Sequence, residues 1–215
     1  AQVSGSAPYH AELVRQALRS LKAGDRGRAA GMSAEFLDVS LHDADVLHGA
    51  GLLGLQVGQA GQAEKLLLRA IEQRPDHPVY RSNLAIAYRH LGKPESAIEQ
   101  VNIALGLDPG LAEAHATLGY LLLDSGHIEA AARSLERALA IRREYPDALN
   151  GLGLIRCALR QFDQACANFE RALDSVQQVF GRSVVPIQLP IGAEKQFRGV
   201  IDLVGMKALI YTPDG

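Results

Sequence analysis

The stretch that decides the fold is PVYRSNLAIAYRHLGKPESAIEQVNIALGLDP, residues 78–109. Its first half places small and aliphatic side chains such as Ala85 at helical spacing, until Gly92 interrupts the run. A second amphipathic segment includes Ala97 and ends before Pro109, because the residue before a proline avoids the helical region of backbone space. The stretch therefore predicts two helices joined by a short turn.

The same pattern recurs along the chain with a period of about 34 residues. Five registers keep that spacing: Gly24, Gly58, Gly92 and Gly126; Ala29, Ala63, Ala97, Ala131 and Ala165; Ala17, Gly51, Ala85, Gly119 and Gly153; Leu67, Val101, Leu135 and Phe169; Ala70, Ala104, Ala138 and Ala172. Composition alone does not produce five columns at one period, so the chain is expected to be built from repeats. The predicted units are 10–43, 44–77, 78–111, 112–145 and 146–179, in an array over 10–180 that follows a flexible N-terminus at 1–9.

Prolines and glycines mark the expected helix boundaries. Pro78 and Pro146 open their units, at a first-turn position where a missing N–H does no harm. A glycine such as Gly92 can take the left-handed conformation that a short turn between helices needs. The columns of glycine and alanine allow the two helices of a unit to approach closely, because a larger side chain there would overpack the crossing.

These residues resemble the tetratricopeptide repeat (TPR) family. The family's signature is carried in the second unit by Ala50, Gly51, Gly54, Ala63, Leu67, Ala70 and Pro75. The resemblance implies an all-α fold, a right-handed TPR superhelix of about five helix-turn-helix repeats followed by a short β-prone C-terminal tail. It also implies that the first helix of each unit lines an inner groove, where an extended or helical peptide of a partner protein binds.

Helical phase predicts which side chains line that groove. The candidates are His48, Leu52, Leu55, Asn83, Ile86, Arg89, His90, Tyr120, Leu123, Asn150 and Leu154. Leu52, Ile86, Tyr120 and Leu154 would form an apolar stripe suited to an apolar peptide or helix, with Tyr120 as its anchor. The alternative is that this stripe simply packs against neighbouring helices.

The C-terminal segment, 181–215, has a different character. It contains strand-like runs rich in Val, Ile and Leu, punctuated by proline and glycine. The sequences VPIQLPIGAE (185–194), FRGVIDLV (197–204) and MKALI (206–210) resemble bacterial translation elongation factor G, over about 176–211. The chain is therefore interpreted as a chimera of a TPR array and an elongation-factor fragment. An apolar stripe predicts that the last helix runs to Phe180, with Gly181 as its C-cap.

The activity of the elongation factor is not expected to accompany this fragment. The chain has neither a Gly-x-x-x-x-Gly-Lys-Ser/Thr phosphate loop nor an Asn-Lys-x-Asp motif, so it is not expected to hydrolyse GTP. A few isolated strands are marginal in water, and the tail is expected to dock onto the array of its own chain or of another copy.

Composition narrows the remaining function classes. A net charge of -2 gives no electrostatic signature for nucleic acid or an anionic membrane, and the apolar runs are too short to span a bilayer. Cys157 and Cys166 are too few for a disulfide framework, which favours a cytoplasmic location. The seven histidines show no metal-ligand spacing, and no metal site or cofactor is expected.

Three functions remain open at this point. The leading hypothesis is a non-enzymatic scaffold that binds a peptide or helix of an unidentified partner protein in the groove. A second is a self-associating module that forms homo-oligomers through its tail or its exposed ends. A third is the substrate-recruiting arm of a larger enzyme whose catalytic domain is absent.

Overall fold

The computed structural model describes residues 6–38, 43–180, 188–191, 199–202 and 207–210. Within them the chain forms ten helices: α1 Ser6–Lys22, α2 Arg26–Asp38, α3 Ala44–Val57, α4 Ala60–Gln73, α5 Pro78–His90, α6 Pro94–Leu107, α7 Ala112–Asp124, α8 Ile128–Ile141, α9 Pro146–Ala158 and α10 Phe162–Phe180. The starts of α3, α5, α7 and α9 follow one another at a constant interval, which equals the period of the sequence. The described part of the chain is therefore mainly a series of helical hairpins, as in a TPR solenoid.

The chain divides into two compact units, Ala1–Thr117 and Leu118–Gly215. In the first unit, α3 packs on α4, α5 packs on α6, and α4 also packs on α5. The small residues predicted at the crossings permit this contact. A Cβ added to Gly51 of α3 would lie 2.8 Å from Cγ of Leu67 in α4, closer than side chains tolerate. Leu67 is fully buried, so the crossing leaves no space for a side chain at position 51.

The turns inside the hairpins confirm the predicted role of glycine. Gly58 ends α3 with φ of 85°, and Gly24, Gly92 and Gly126 also have positive φ. The N–H of Gly58 donates to the carbonyl of Leu55, and the next N–H donates to the carbonyl of Gly54. These bonds satisfy carbonyl groups that a helix end otherwise leaves unpaired. Pro78 and Pro146 open α5 and α9, as predicted.

The second unit contains the hairpin of α9 and α10, with α8 packed on α9. Leu135 and the alanine column of α8 are fully buried there. Helix α10 ends at Phe180, which confirms the end predicted from its apolar stripe. The predicted C-cap, Gly181, lies outside the described residues.

Two features concern the ends of the chain. Helix α1 begins at Ser6, so the prediction of a flexible segment over 1–9 is wrong for residues 6–9. Near the C-terminus the described residues include three short strands, β1 Gln188–Ile191, β2 Gly199–Asp202 and β3 Lys207–Ile210. They pair antiparallel in the order β1-β2-β3, and we call them the C-terminal sheet.

Candidate functional site

The candidate site in the first unit lies on the first helices α3 and α5. Leu52 on α3 and Ile86 on α5 are half-buried, although their neighbours Leu53 and Leu84 are fully buried in the core. Each helix thus has a core face and a second apolar stripe that remains partly in water. Leu55 also stays half-buried, but it packs against a core cluster formed by α4 and α5.

A hydrogen bond joins the polar parts of the two helices. The Asn83 amide Nδ2 donates to Nε2 of His48 across 2.7 Å. Asn83 is 9% exposed, so its backbone and most of its amide lie inside the protein rather than in an open groove. Burial, together with the nearby charge of His77, lowers the pKa of His48 from its usual 6.5 to about 4. His48 is therefore a neutral hydrogen-bonding group near neutral pH, and its Nε2 is the acceptor that the Asn83 amide needs.

The remaining predicted residues of this unit lie toward the C-terminal end of α5. Arg89 is half-buried and has interactions within the protein. His90 is exposed. These two side chains place basic groups at the end of α5, close to the half-buried stripe.

Sequence reasoning missed a polar cluster beside this site. The Tyr80 ring is 1% exposed, and its hydroxyl donates to Oδ1 of Asp45 at 2.5 Å. The Arg74 guanidinium lies 3.1 Å from the same oxygen and 3.2 Å from the Tyr80 hydroxyl. The rings of His77 and Tyr80 stack with centroids 4.0 Å apart, and the ring of His48 lies 4.7 Å from Tyr80 on centroids.

The cluster shifts the ionisation of its members. Burial and the hydrogen bond to Asp45 raise the pKa of Tyr80 to about 12. The hydrogen bond from Tyr80 and the charge of Arg74 lower the pKa of Asp45 in spite of its partial desolvation. An Asp and a Tyr separated by 35 positions, one more than the repeat period, are the signal that could have revealed this contact between successive first helices.

In the second unit, Tyr120 holds a fixed position against α9. Its hydroxyl donates to the backbone carbonyl of Asp147 at 2.8 Å and accepts from Asn150 Nδ2 at 3.2 Å. A Cβ on Gly151 would lie 3.3 Å from Cζ of Tyr120, so the missing side chain lets the ring lie close to α9. The structure thus brings Tyr120 and Asn150 together, as neighbours on adjacent first helices.

The two apolar candidates of this unit differ in exposure. Leu123 is half-buried, whereas Leu154 on α9 is 45% exposed. Leu154 is one of the large apolar side chains that this unit leaves in water.

Other chemistry is limited in the described part of the chain. The cysteines, Cys157 on α9 and Cys166 on α10, are free thiols, and burial raises the pKa of each. Among the described residues, no group of three or more His, Cys, Asp and Glu side chains could hold a metal ion. No helix in the same residues has both the length and the apolar character that a membrane crossing requires.

The sequence matches the tetratricopeptide repeat family over residues 48–112 and 117–179, and the chain belongs to that family. Among solved structures it is similar to a thermophilic TPR protein of Thermus thermophilus, with a TM-score of 0.65 and 20% identity. That alignment covers 81% of this chain and 95% of the other. The MamA protein of Desulfovibrio magneticus RS-1 aligns with a TM-score of 0.52 and 17% identity, over 79% of this chain and 96% of the other. These likenesses concern the fold.

Part of the chain is also similar to elongation factor G. The protein from Wolbachia pipientis subsp. Culex pipiens (strain wPip) is 47% identical over 58 residues, which are 27% of this chain and 8% of that protein. The Mycoplasma pneumoniae protein is 51% identical over 57 residues, again 8% of its length. The chain therefore spans a small fraction of the elongation factors that it matches, which agrees with the fragment identified from the sequence.

Proposed function

We propose that the protein is a non-enzymatic interaction scaffold whose first helices bind a peptide or helix of a partner protein. The observation that carries this proposal is the half-buried apolar stripe of Leu52 and Ile86, on helices whose core-facing side chains, such as Leu53 and Leu84, are fully buried. Apolar area that remains in water stabilises a complex when a partner covers it, at about 25 cal/mol per Å².

The polar groups beside the stripe support a directional contact. The bond between His48 and Asn83 holds both side chains in place, so they lose little conformational freedom when a ligand binds. In the second unit, Tyr120 is held by Asp147 and Asn150 in the same way. A fixed aromatic ring is the kind of side chain that contributes most to binding, because little entropy is lost on its burial.

The test begins with the selection of peptide ligands for the intact chain from a random displayed library. Binding of a selected peptide is then measured by fluorescence anisotropy for the wild type, Ile86→Asp and Leu68→Asp. Leu68 is a matched control, since it is 39% exposed on the second helix α4. A groove ligand should bind Ile86→Asp at least about tenfold more weakly, a loss of roughly 1.4 kcal/mol, and should bind Leu68→Asp normally.

Circular dichroism of each variant shows whether its helices are retained. Equal affinity of the wild type and Ile86→Asp, with the helical signal unchanged, would contradict the assignment of α3 and α5, the first helices of the first unit, as the binding surface. A Tyr120→Ala variant tests in the same way whether the first helices of the second unit contribute to binding. Loss of affinity in Leu68→Asp alone would move the binding surface to the second helices.

A further inference from the structure

The second helices α4 and α6 each use one equivalent apolar position to contact the first helix of the next hairpin. Ile71 of α4 packs against the cluster that contains Leu84 of α5. Leu105 of α6, one repeat period later, packs against the cluster that contains Ala114 of α7. This position therefore contributes to a joint between successive repeats.

The equivalent position in α10 is Leu173, and the predicted repeats end with this helix. Leu173 is half-buried, as are Phe169, Ala172 and Val176 on the same helix. The equivalents of Phe169 and Ala172 in α4, α6 and α8 are all fully buried: Leu67, Val101 and Leu135, and Ala70, Ala104 and Ala138. Phe169 and Ala172 are thus less covered than their equivalents, whereas Ile71 and Leu105, the equivalents of Leu173, are half-buried as Leu173 is. Phe169, Ala172 and Leu173 together form an apolar face of α10. We call it the terminal face.

The similarity to elongation factor G links α10 to the strands that follow. The match extends over 58 residues, whereas only 35 residues follow Phe180, so at least 23 matched residues come before Gly181. Since the resembling sequences lie at 185–210, a continuous match reaches back through α10. The helix and the strands therefore resemble one continuous piece of a single folded protein, in which apolar faces of adjacent elements cover one another.

We infer that the C-terminal sheet covers the terminal face of α10 in its own chain, in the place where another repeat would put its first helix. A three-stranded sheet with four-residue strands is stable in water only when an apolar face of it packs against another element. Contact with the terminal face would therefore stabilise both the sheet and α10. Solenoids also need a cover for their last repeat.

The length of the connection favours the sheet of the same chain over that of a second copy. Residues 181–187 can span up to about 25 Å, at roughly 3.5 Å per residue. From Phe180 back to Leu173 along the helix is only about 10 Å, at 1.5 Å per residue. The sheet can therefore fold back without strain, and its tether gives it a high effective concentration at the terminal face.

The first experiment breaks the sheet and follows α10. Ile201 lies in the central strand β2, opposite Leu189 and Ala208. Ile201→Pro removes a backbone donor and disrupts the ladder, while Ile201→Val is the control. Hydrogen exchange with mass spectrometry should show amides of α10 exchanging roughly tenfold faster in the proline variant, with α8 unchanged.

The reciprocal experiment alters the terminal face and follows the strands. Leu173→Ala should speed exchange in β2 and β3, whereas Leu105→Ala, the same change at the equivalent position of α6, should leave the strands unchanged. Unchanged exchange of α10 in Ile201→Pro, or of the strands in Leu173→Ala, would overturn the inference. So would protection of α10 that disappears on hundredfold dilution of the wild type while light scattering shows a dimer dissociating, because the cover would then come from a second copy.

Discussion

The hydroxyl of Tyr80 donates a hydrogen bond to the carboxylate of Asp45 and so connects two successive first helices, α3 and α5. Arg74 completes the group by contacting both carboxylate oxygens, at 3.1 and 3.2 Å. The ring of Tyr80 is buried between these helices, but the carboxylate is at the surface. The pair therefore fixes the end of a buried aromatic side chain. Asp45 lies in the first turn of α3, the helix that also carries Leu52 of the half-buried stripe that we assign to partner binding.

Removal of the Tyr80 hydroxyl should weaken the fold to a limited extent. Tyr80→Phe keeps the buried ring and its stacking on His77, and leaves Asp45 accessible to water and to Arg74. The expected loss of unfolding free energy is about 1–2 kcal/mol, since the bond is assisted by the charge of the carboxylate. Urea denaturation followed by circular dichroism measures it. A midpoint equal to that of the wild type would show that the bond contributes nothing to stability. Tyr80→Ala, which leaves a cavity in place of the buried ring, should lower the free energy of unfolding by more than Tyr80→Phe does.

Acidification should destabilise the first unit through His48. Its pKa is about 4 in the folded protein and 6.5 in an unfolded chain. Between those values the unfolded state binds a proton that the folded state does not, so stability is complete above pH 6.5 and falls as the pH is lowered toward 4. The expected loss is about 2 kcal/mol, less than the roughly 3 kcal/mol of the whole shift, because the ring retains some contact with water.

Thermal denaturation from pH 7 to pH 4.5 measures this loss. His48→Gln is the control, since it keeps a polar side chain but cannot titrate, and its stability should change much less across the window. The Asp45 carboxyl, whose pKa is lowered, also favours the folded state at higher pH, but its contribution disappears only below its usual value of 3.8. Equal slopes for the wild type and His48→Gln would assign the pH dependence to other groups.

The sequence predicts what the repeats share and misses what one repeat has alone. The helix boundaries depend on glycine and proline at fixed spacing, and the turn at Gly58 has the backbone that this residue type implies. Tyr80 belongs to no shared column, because its equivalents are Val46, Ala114 and Ala148. A search for periodic positions therefore does not detect Tyr80, although it is the largest fully buried side chain in the described part of the protein.

The exposure of the candidate site was also beyond periodic reasoning. Helical phase places Asn83 among the side chains that line the groove, yet the side chain is nearly buried because His48 of the preceding first helix lies 2.7 Å away. The burial of Asn83 depends on a residue of the preceding repeat, and the local sequence pattern around Asn83 does not indicate that contact. Tyr120 is similar, since its contact with α9 depends on the absence of a side chain at Gly151.

Gly119→Ala should destabilise the second unit. A Cβ at this position would lie 2.6 Å from Cγ of Leu135, which is fully buried, and 3.3 Å from the backbone carbonyl of Ala131. The expected overpacking cost is about 1–3 kcal/mol, partly offset by the higher helix propensity of alanine. Gly106→Ala in α6 is the control, because open space surrounds that site, and this variant should be equally or slightly more stable than the wild type. Chemical denaturation of both variants decides between overpacking and propensity.

Arg160→Gly should stabilise the protein, because Arg160 occupies a turn position that glycine holds in the other hairpins. It has φ of 60°, and it follows Gly126 by one repeat period. Its N–H donates to the carbonyl of Cys157, as that of Gly126 does to Leu123, so the turn geometry is the same in both hairpins. A non-glycine residue in this conformation costs about 1–2 kcal/mol, and the greater freedom of glycine in the unfolded chain returns part of that, so the net gain should be about 0.5–1 kcal/mol. Arg160→Ala removes the same exposed side chain but keeps the Cβ, and it should bring no such gain in a urea melt. If both variants were equally stable, the effect would come from the lost side chain and the backbone would not be strained.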